Sequence, residues 1–179
     1  MDRARQRSWV LAGAIGAAAL LLALTAVPSQ AGSPGSRADG EVKKKGGEFI
    51  GMGVVNNTGV DQTPRVKAKQ GEKAVFAFRF RNHESFGGSI TVEGCVFEGD
   101  ELRVRYFSGG EEVTEEVETG TLVFPAVSPN AYTPQVRTEV KVRNGAPDGF
   151  SDAECVAGVG SSTMSGSARD EPGWKVKVK

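Results

Sequence analysis

Beyond Glu48 the chain alternates apolar and polar residues with a period of two. In the run Ala74-Val75-Phe76-Ala77-Phe78-Arg79-Phe80-Arg81, the residues Ala74, Phe76, Phe78 and Phe80 share one face, while Arg79 and Arg81 share the other. Such alternation describes a strand with one buried and one solvated side. The pattern recurs in Leu102 to Tyr106, in Val136 to Val142 and in Trp174 to Lys179. Between these runs lie turn signals such as Gly87-Gly88, Ser108-Gly109-Gly110, Ser128-Pro129-Asn130 and Asn144-Gly145. No stretch past residue 48 combines amphipathic helical periodicity with caps. The pattern therefore predicts an all-β, antiparallel β-sandwich, with strands near 49–55, 62–69, 72–82, 88–97, 101–107, 112–124, 133–143, 150–160 and 172–178.

The residues also carry a family resemblance. The succession from Gln62-Thr63 through Gly71 to Asn82, then Val104-Arg105-Tyr106-Phe107-Ser108-Gly109-Gly110 and Val113-Thr114, resembles bacterial secreted or cell-surface immunoglobulin-like modules. These are the modules repeated along surface proteins or appended to extracellular hydrolases. The resemblance covers nearly all of residues 50–179 and rests on turns and core positions. It implies an Ig-like sandwich of about seven to nine strands and is silent on activity. Two departures stand out: Asn130 follows Pro129 where the family has Gly, and His83 follows Asn82 where Gly is common. Asn accepts left-handed backbone angles, so the first departure is tolerable.

The N-terminal segment reads differently. Arg3, Arg5 and Arg7 precede an apolar run from Trp9 to Val27, followed by Ser29-Gln30-Ala31. A positive n-region, an apolar h-region and small residues three and one before the cut define a secretory signal peptide over 1–31, with cleavage after Ala31. The alternative is retention as a membrane anchor, because the apolar run as a helix is roughly 28 Å long, close to the hydrocarbon thickness. Residues 32–47, rich in Gly, Ser and charge, read as a flexible linker, and 48–179 as the folded domain. The predicted location is outside the cell or at its surface.

Charge narrows the partners. The whole chain balances 22 basic against 22 acidic residues, and loss of residues 1–31 removes three arginines and one aspartate, leaving −2. That balance argues against nucleic acid as a partner. An unknown protein or cell-envelope polymer is the expected one, with membrane contact only if the N-terminal segment is retained.

Candidate chemistry is sparse. Cys95 and Cys155 are the only cysteines, and an even pair in an exported chain reads as a disulfide. A bridge closing such a loop stabilises by roughly 4 kcal/mol on the loop-entropy account. His83 is the sole histidine, too few ligands for a zinc centre, and reads as a solvated loop residue. The acidic run from Glu111 to Glu118 reads as a solvated strand edge that discourages pairing with other chains, and Trp174 as core. Asn56-Asn57-Thr58 matches a glycosylation sequon by chance. No catalytic residues, cofactor or metal site are predicted, and the chain is read as non-enzymatic. The leading reading is an exported domain with a structural, adhesive or protein-interaction role. A carbohydrate-binding module is the alternative, with Phe97, Phe107 and Phe124 as the rings that would form its platform; an unrecognised extracellular enzyme stands third.

Overall fold

The computed structural model describes residues 37–56, 58–95, 99–160 and 169–179. The predicted signal peptide, Phe97 and the sequon residue Asn57 lie outside these. In chain order the elements are β1 (Ala38–Lys44), β2 (Arg65–Ala68), β3 (Lys73–Asn82), β4 (Gly88–Gly94), β5 (Leu102–Ser108), β6 (Glu111–Glu112), α1 (Thr114–Glu118), β7 (Leu122–Val127), β8 (Val136–Val142), β9 (Ser151–Gly160), β10 (Arg169–Asp170) and β11 (Gly173–Val178). They form two sheets, ordered β1-β3-β8-β5-β6 and β2-β11-β9-β4-β7, with β10 beside β9. All pairings are antiparallel except that β2 runs parallel to β11.

The order is that of an immunoglobulin-type sandwich. β1-β3-β8-β5 takes the places of its A, B, E and D strands, and β4-β9-β11 those of C, F and G. The period-two alternation produces the core directly. Phe76, Phe78 and Phe80 of β3, Val136 and Val140 of β8, Ile90 and Val92 of β4, and Val176 of β11 are all fully buried. Trp174 of β11 stacks on Phe76 of the opposite sheet, with ring centroids 5.7 Å apart and planes inclined by 21°, so one aromatic pair ties the two layers together. Opposite Phe80 the second sheet carries Gly158. A Cβ there would enter the Phe80 ring at Cδ1, so the layers meet closely only because this residue has no side chain.

The structure corrects three expectations. Residues 38–44, predicted to lie in the flexible linker, form β1, paired along β3 from Ala38 opposite Asn82 to Lys44 opposite Phe76. The folded unit therefore begins before residue 48. Asp39 and Glu41 lend this stretch the composition of a linker, yet both are buried and partnered. The Asp39 carboxylate accepts from the Gly53 N–H at 3.0 and 3.1 Å, while Glu41 pairs with Arg79. Second, the strand expected at 49–55 reduces to a single bridge between Val42 and Ile50. Third, the acidic run is strand only at Glu111–Glu112 and then turns into α1, whose Val117 is buried. Val113 and Val117 stand one helical turn apart and both face the core, a spacing that a period-two reading overlooks. The exception allowed at Asn130 holds, with φ at +59°.

A buried polar node fixes β1 against the second sheet. Asp170 Oδ2 accepts the Gly40 N–H of β1 at 2.5 Å and the Gln62 Nε2 at 3.0 Å, and Oδ1 accepts the Asn56 N–H at 2.8 Å. Burial raises the Asp170 carboxyl above its ordinary value, against the hydrogen bonds from Asn56, Gly40 and Gln62 that favour its charged form.

Two substitutions and a control test this account. Gly158→Ala is expected to lower unfolding stability by roughly 2–4 kcal/mol through overpacking against Phe80, measured by urea denaturation. Asp170→Ala is expected to cost about 3 kcal/mol or more, since it orphans buried donors, and to lower hydrogen-exchange protection first in β1. Asp148→Ala, at an exposed turn, should stay within about 0.5 kcal/mol.

Candidate functional site

The alternation that buries phenylalanines on one side of β3 puts charge on the other, and β5 and β8 do the same. Cross-strand register then assembles rows on the outer face of the first sheet. Lys73 lies opposite Lys141, which lies opposite Arg103. The next rows are Val75, Glu139 and Arg105, then Ala77, Arg137 and Phe107. Cations dominate this face although the chain as a whole is neutral.

At the β1 end the face is built around Glu41. Its Oε2 accepts from Arg79 Nε at 2.8 Å and Nη2 at 2.6 Å, and its Oε1 accepts the Tyr132 hydroxyl at 2.6 Å. The Arg79 guanidinium lies 4.0 Å from the ring centres of both Phe49 and Tyr132, and the Lys43 ammonium lies 4.4 Å from that of Phe49. Cations and rings thus alternate in a ladder anchored by a buried carboxylate. Burial, followed by the neighbouring Glu41, raises the Tyr132 hydroxyl's pKa. Beside the ladder Ile50 and Met52 protrude, 40% and 67% exposed.

At the β5 end, Arg137 and Arg105 cover Phe107, 4.3 and 5.2 Å from its ring centre. Arg105 also pairs with Glu112, whose carboxyl that contact holds down at about 2. Glu139 is shared by Lys73 at 2.9 Å and Arg137 at 2.5 Å. Lys73 in first place holds the Glu139 carboxyl below its ordinary value.

The residues singled out from sequence fall in separate places. Cys95 and Cys155 form a disulfide with Cα atoms 5.3 Å apart. It joins the end of β4 to the neighbouring strand β9, where the Cys95 N–H donates to the Cys155 carbonyl at 3.1 Å; the antibody-type bridge instead spans the two sheets. Glu171 lies near these sulfurs, but bonded sulfurs are not thiolate ligands. His83 is exposed in its loop. Trp174 is buried as expected. Phe107 belongs to the first sheet and Phe124 to the second, where it packs against the core, so these two rings do not share a platform. Among the described residues no helix is long and apolar enough to cross a membrane.

No family model matches the chain, and no curated protein matches it. Among solved structures, it aligns with a family 123 glycoside hydrolase from Clostridium perfringens at 8% identity and a TM-score of 0.40, over 65% of this chain and 22% of that one. The human CEP192 ASH/PapD-like domain 7 aligns at 9% identity and a TM-score of 0.37, over 80% of this chain and 85% of that one. The Pseudomonas fluorescens alkylpurine DNA glycosylase AlkC, bound to DNA with an abasic site analog, aligns at 11% identity and a TM-score of 0.28, over 64% and 27%. The chain thus spans under a third of the glycosidase and glycosylase chains. The fold assignment rests on the strand order above.

One interior group has no counterpart in the sequence reading. Glu154 of β9 points into the sandwich, pairs in register with Trp174, and is only 9% exposed. Among the described residues the Tyr106 hydroxyl faces its carboxylate short of full hydrogen-bond geometry, and Trp174 Nε1 has no partner. Burial pushes the Glu154 carboxyl up to about 8, with the Asp152 and Glu118 charges adding to the rise and the nearby Tyr106 hydroxyl opposing it. A carboxyl raised in the folded state contributes most below its unfolded pKa, and that contribution fades as pH climbs through the folded value. Between about pH 4.5 and 8, Glu154 therefore destabilises the fold progressively. Glu154→Gln is expected to add roughly 2 kcal/mol or more at pH 8 and nothing at pH 4, read from urea midpoints across that range. Asp39 and Asp170, also raised, should leave the variant with a residual preference for acid.

Proposed function

We propose that the chain is a non-catalytic Ig-like domain, exported after removal of residues 1–31, that works by protein contact at the cell envelope or outside the cell. The observation that carries this reading is the β1 end of the outer face, where Ile50 and Met52 stand exposed beside the Phe49, Arg79 and Tyr132 ladder. Aromatic residues, Met and Arg are the types that concentrate binding energy in protein interfaces. Here their orientation is fixed in advance by Glu41, which lowers the ordering cost of binding. The disulfide suits an oxidising compartment, and the resemblance to secreted surface modules points the same way.

Two measurements test the reading. Intact mass of the exported protein should show a chain starting at Gly32 and about two daltons lighter until reduced; a membrane-bound, full-length species would overturn export by cleavage. A photo-crosslinker replacing Met52 in intact cells should give a discrete, saturable adduct that Tyr132→Ala diminishes by about tenfold, a change of about 1.4 kcal/mol. The same crosslinker at Glu116 should give none. Equal labelling from both positions would overturn the contact.

A further inference from the structure

At the opposite end of the same face, the first sheet carries a hollow lined by cations. We propose that the hollow between β5 and β8 binds successive phosphate groups of a linear phosphate polymer. The hollow encloses about 390 Å³ and is lined by Arg103, Lys141, Arg143 and Asn144, with no carboxylate among them. A second hollow of about 170 Å³ shares Arg103 and Lys141 and adds Lys73, Arg105 and Glu139.

The register explains why positive charge accumulates there. Lys73, Lys141 and Arg103 sit directly opposite one another on three adjacent strands, at strand spacings of about 4.8 Å. Like charges placed so are mutually destabilising. In the first hollow compensation is weak. Arg143 has Asp100 at 3.9 Å, which is fully exposed; among the described residues no carboxylate lies within ion-pair distance of Arg103 or Lys141, and Glu112 acts on Arg103 only through its longer-range charge. In the second, Glu139 is already shared between Lys73 and Arg137. An oxyanion supplies the missing charge, and arginine's planar fork matches phosphate oxygens with two parallel hydrogen bonds.

A polymer fits better than a single ion because the two hollows share Arg103 and Lys141, which sets them side by side on the sheet. Nucleic acid fits less well, since base recognition on such a surface uses free aromatic faces and Phe107, the ring beside the strip, is covered by Arg105 and Arg137. The site is independent of the Ile50 and Met52 contact and of the protein that would make it.

The test is titration of the full chain with linear polyphosphate in about 50 mM salt, followed by calorimetry. Saturable binding is expected, with log K falling against log salt at a slope near −3 if about four phosphates are engaged. Arg103→Gln with Lys141→Gln should weaken it at least tenfold and flatten the slope by about 1.4. Both side chains are exposed, so the melting temperature should not fall. Lys67→Gln with Lys177→Gln, a cation pair facing each other on the second sheet, should change affinity less than twofold. Absent binding, an unaffected Arg103/Lys141 variant, or equal loss in the Lys67/Lys177 variant would overturn the site. Inorganic phosphate binding as tightly as the polymer would overturn the polymer. Tighter binding of polyglutamate, single-stranded DNA or phosphatidylglycerol vesicles would overturn the phosphate-polymer assignment.

Discussion

The arrangement depends on one buried carboxylate. Asp170 gathers the Gly40 N–H from β1, the Gln62 amide and the Asn56 N–H onto two oxygens, and so joins the first strand of one sheet to the loop and strand that close the other. Without it, β1 would hold Asp39 and Glu41 out of water with little apolar surface in return. A chain segment of this composition would otherwise remain solvated. Because the node is satisfied mostly by backbone N–H groups, it specifies position as well as binding strength. That position sets where Glu41 meets Arg79, and hence where the cation and aromatic ladder stands.

The two faces of the first sheet answer to different physics. Its inner face is closed by large rings, with Phe76 against Trp174 and Phe80 over a glycine that leaves room for it. Dense packing of this kind tolerates little change in volume. Its outer face is held by charge, and there the guanidinium groups of Arg79, Arg105 and Arg137 stand over aromatic rings. Stacking keeps these cations ordered while leaving their edges to hydrogen-bond. The result is a surface with fixed orientation on a rigid layer, which suits recognition by contact.

The interior also holds groups that apolar packing does not explain. Asp39, Asp170 and Glu154 are all raised by burial, so each favours the fold more strongly in its protonated form. Asp39 and Asp170 are compensated by hydrogen bonds. Glu154 has only the opposing influence of the Tyr106 hydroxyl, and it lies in register opposite Trp174, whose ring stacks on Phe76. These three groups bias the fold towards mild acid, while the exposed ion pairs of its surface contribute little.

Several features were legible from the residues alone. Period-two alternation in β3, β5, β8 and β11 identified the all-β sandwich and most of its core, because side chains on a strand must point to alternate faces. The cysteine pair announced its bond, and Asn130 its left-handed turn. Other features arise only in three dimensions. β1 looked like a linker because its burial comes from Asp170, Gln62 and Arg79, residues 22 to 130 positions away. α1 escaped notice because a single helical turn leaves too short a pattern to compete with strand periodicity. The cationic face could not be read from a neutral composition, since charge balance records how many ions a chain has and says nothing of which strands lie side by side. Sequence determined which side of each strand would be wet; strand register, a property of the folded sheet, decided which charges would meet there.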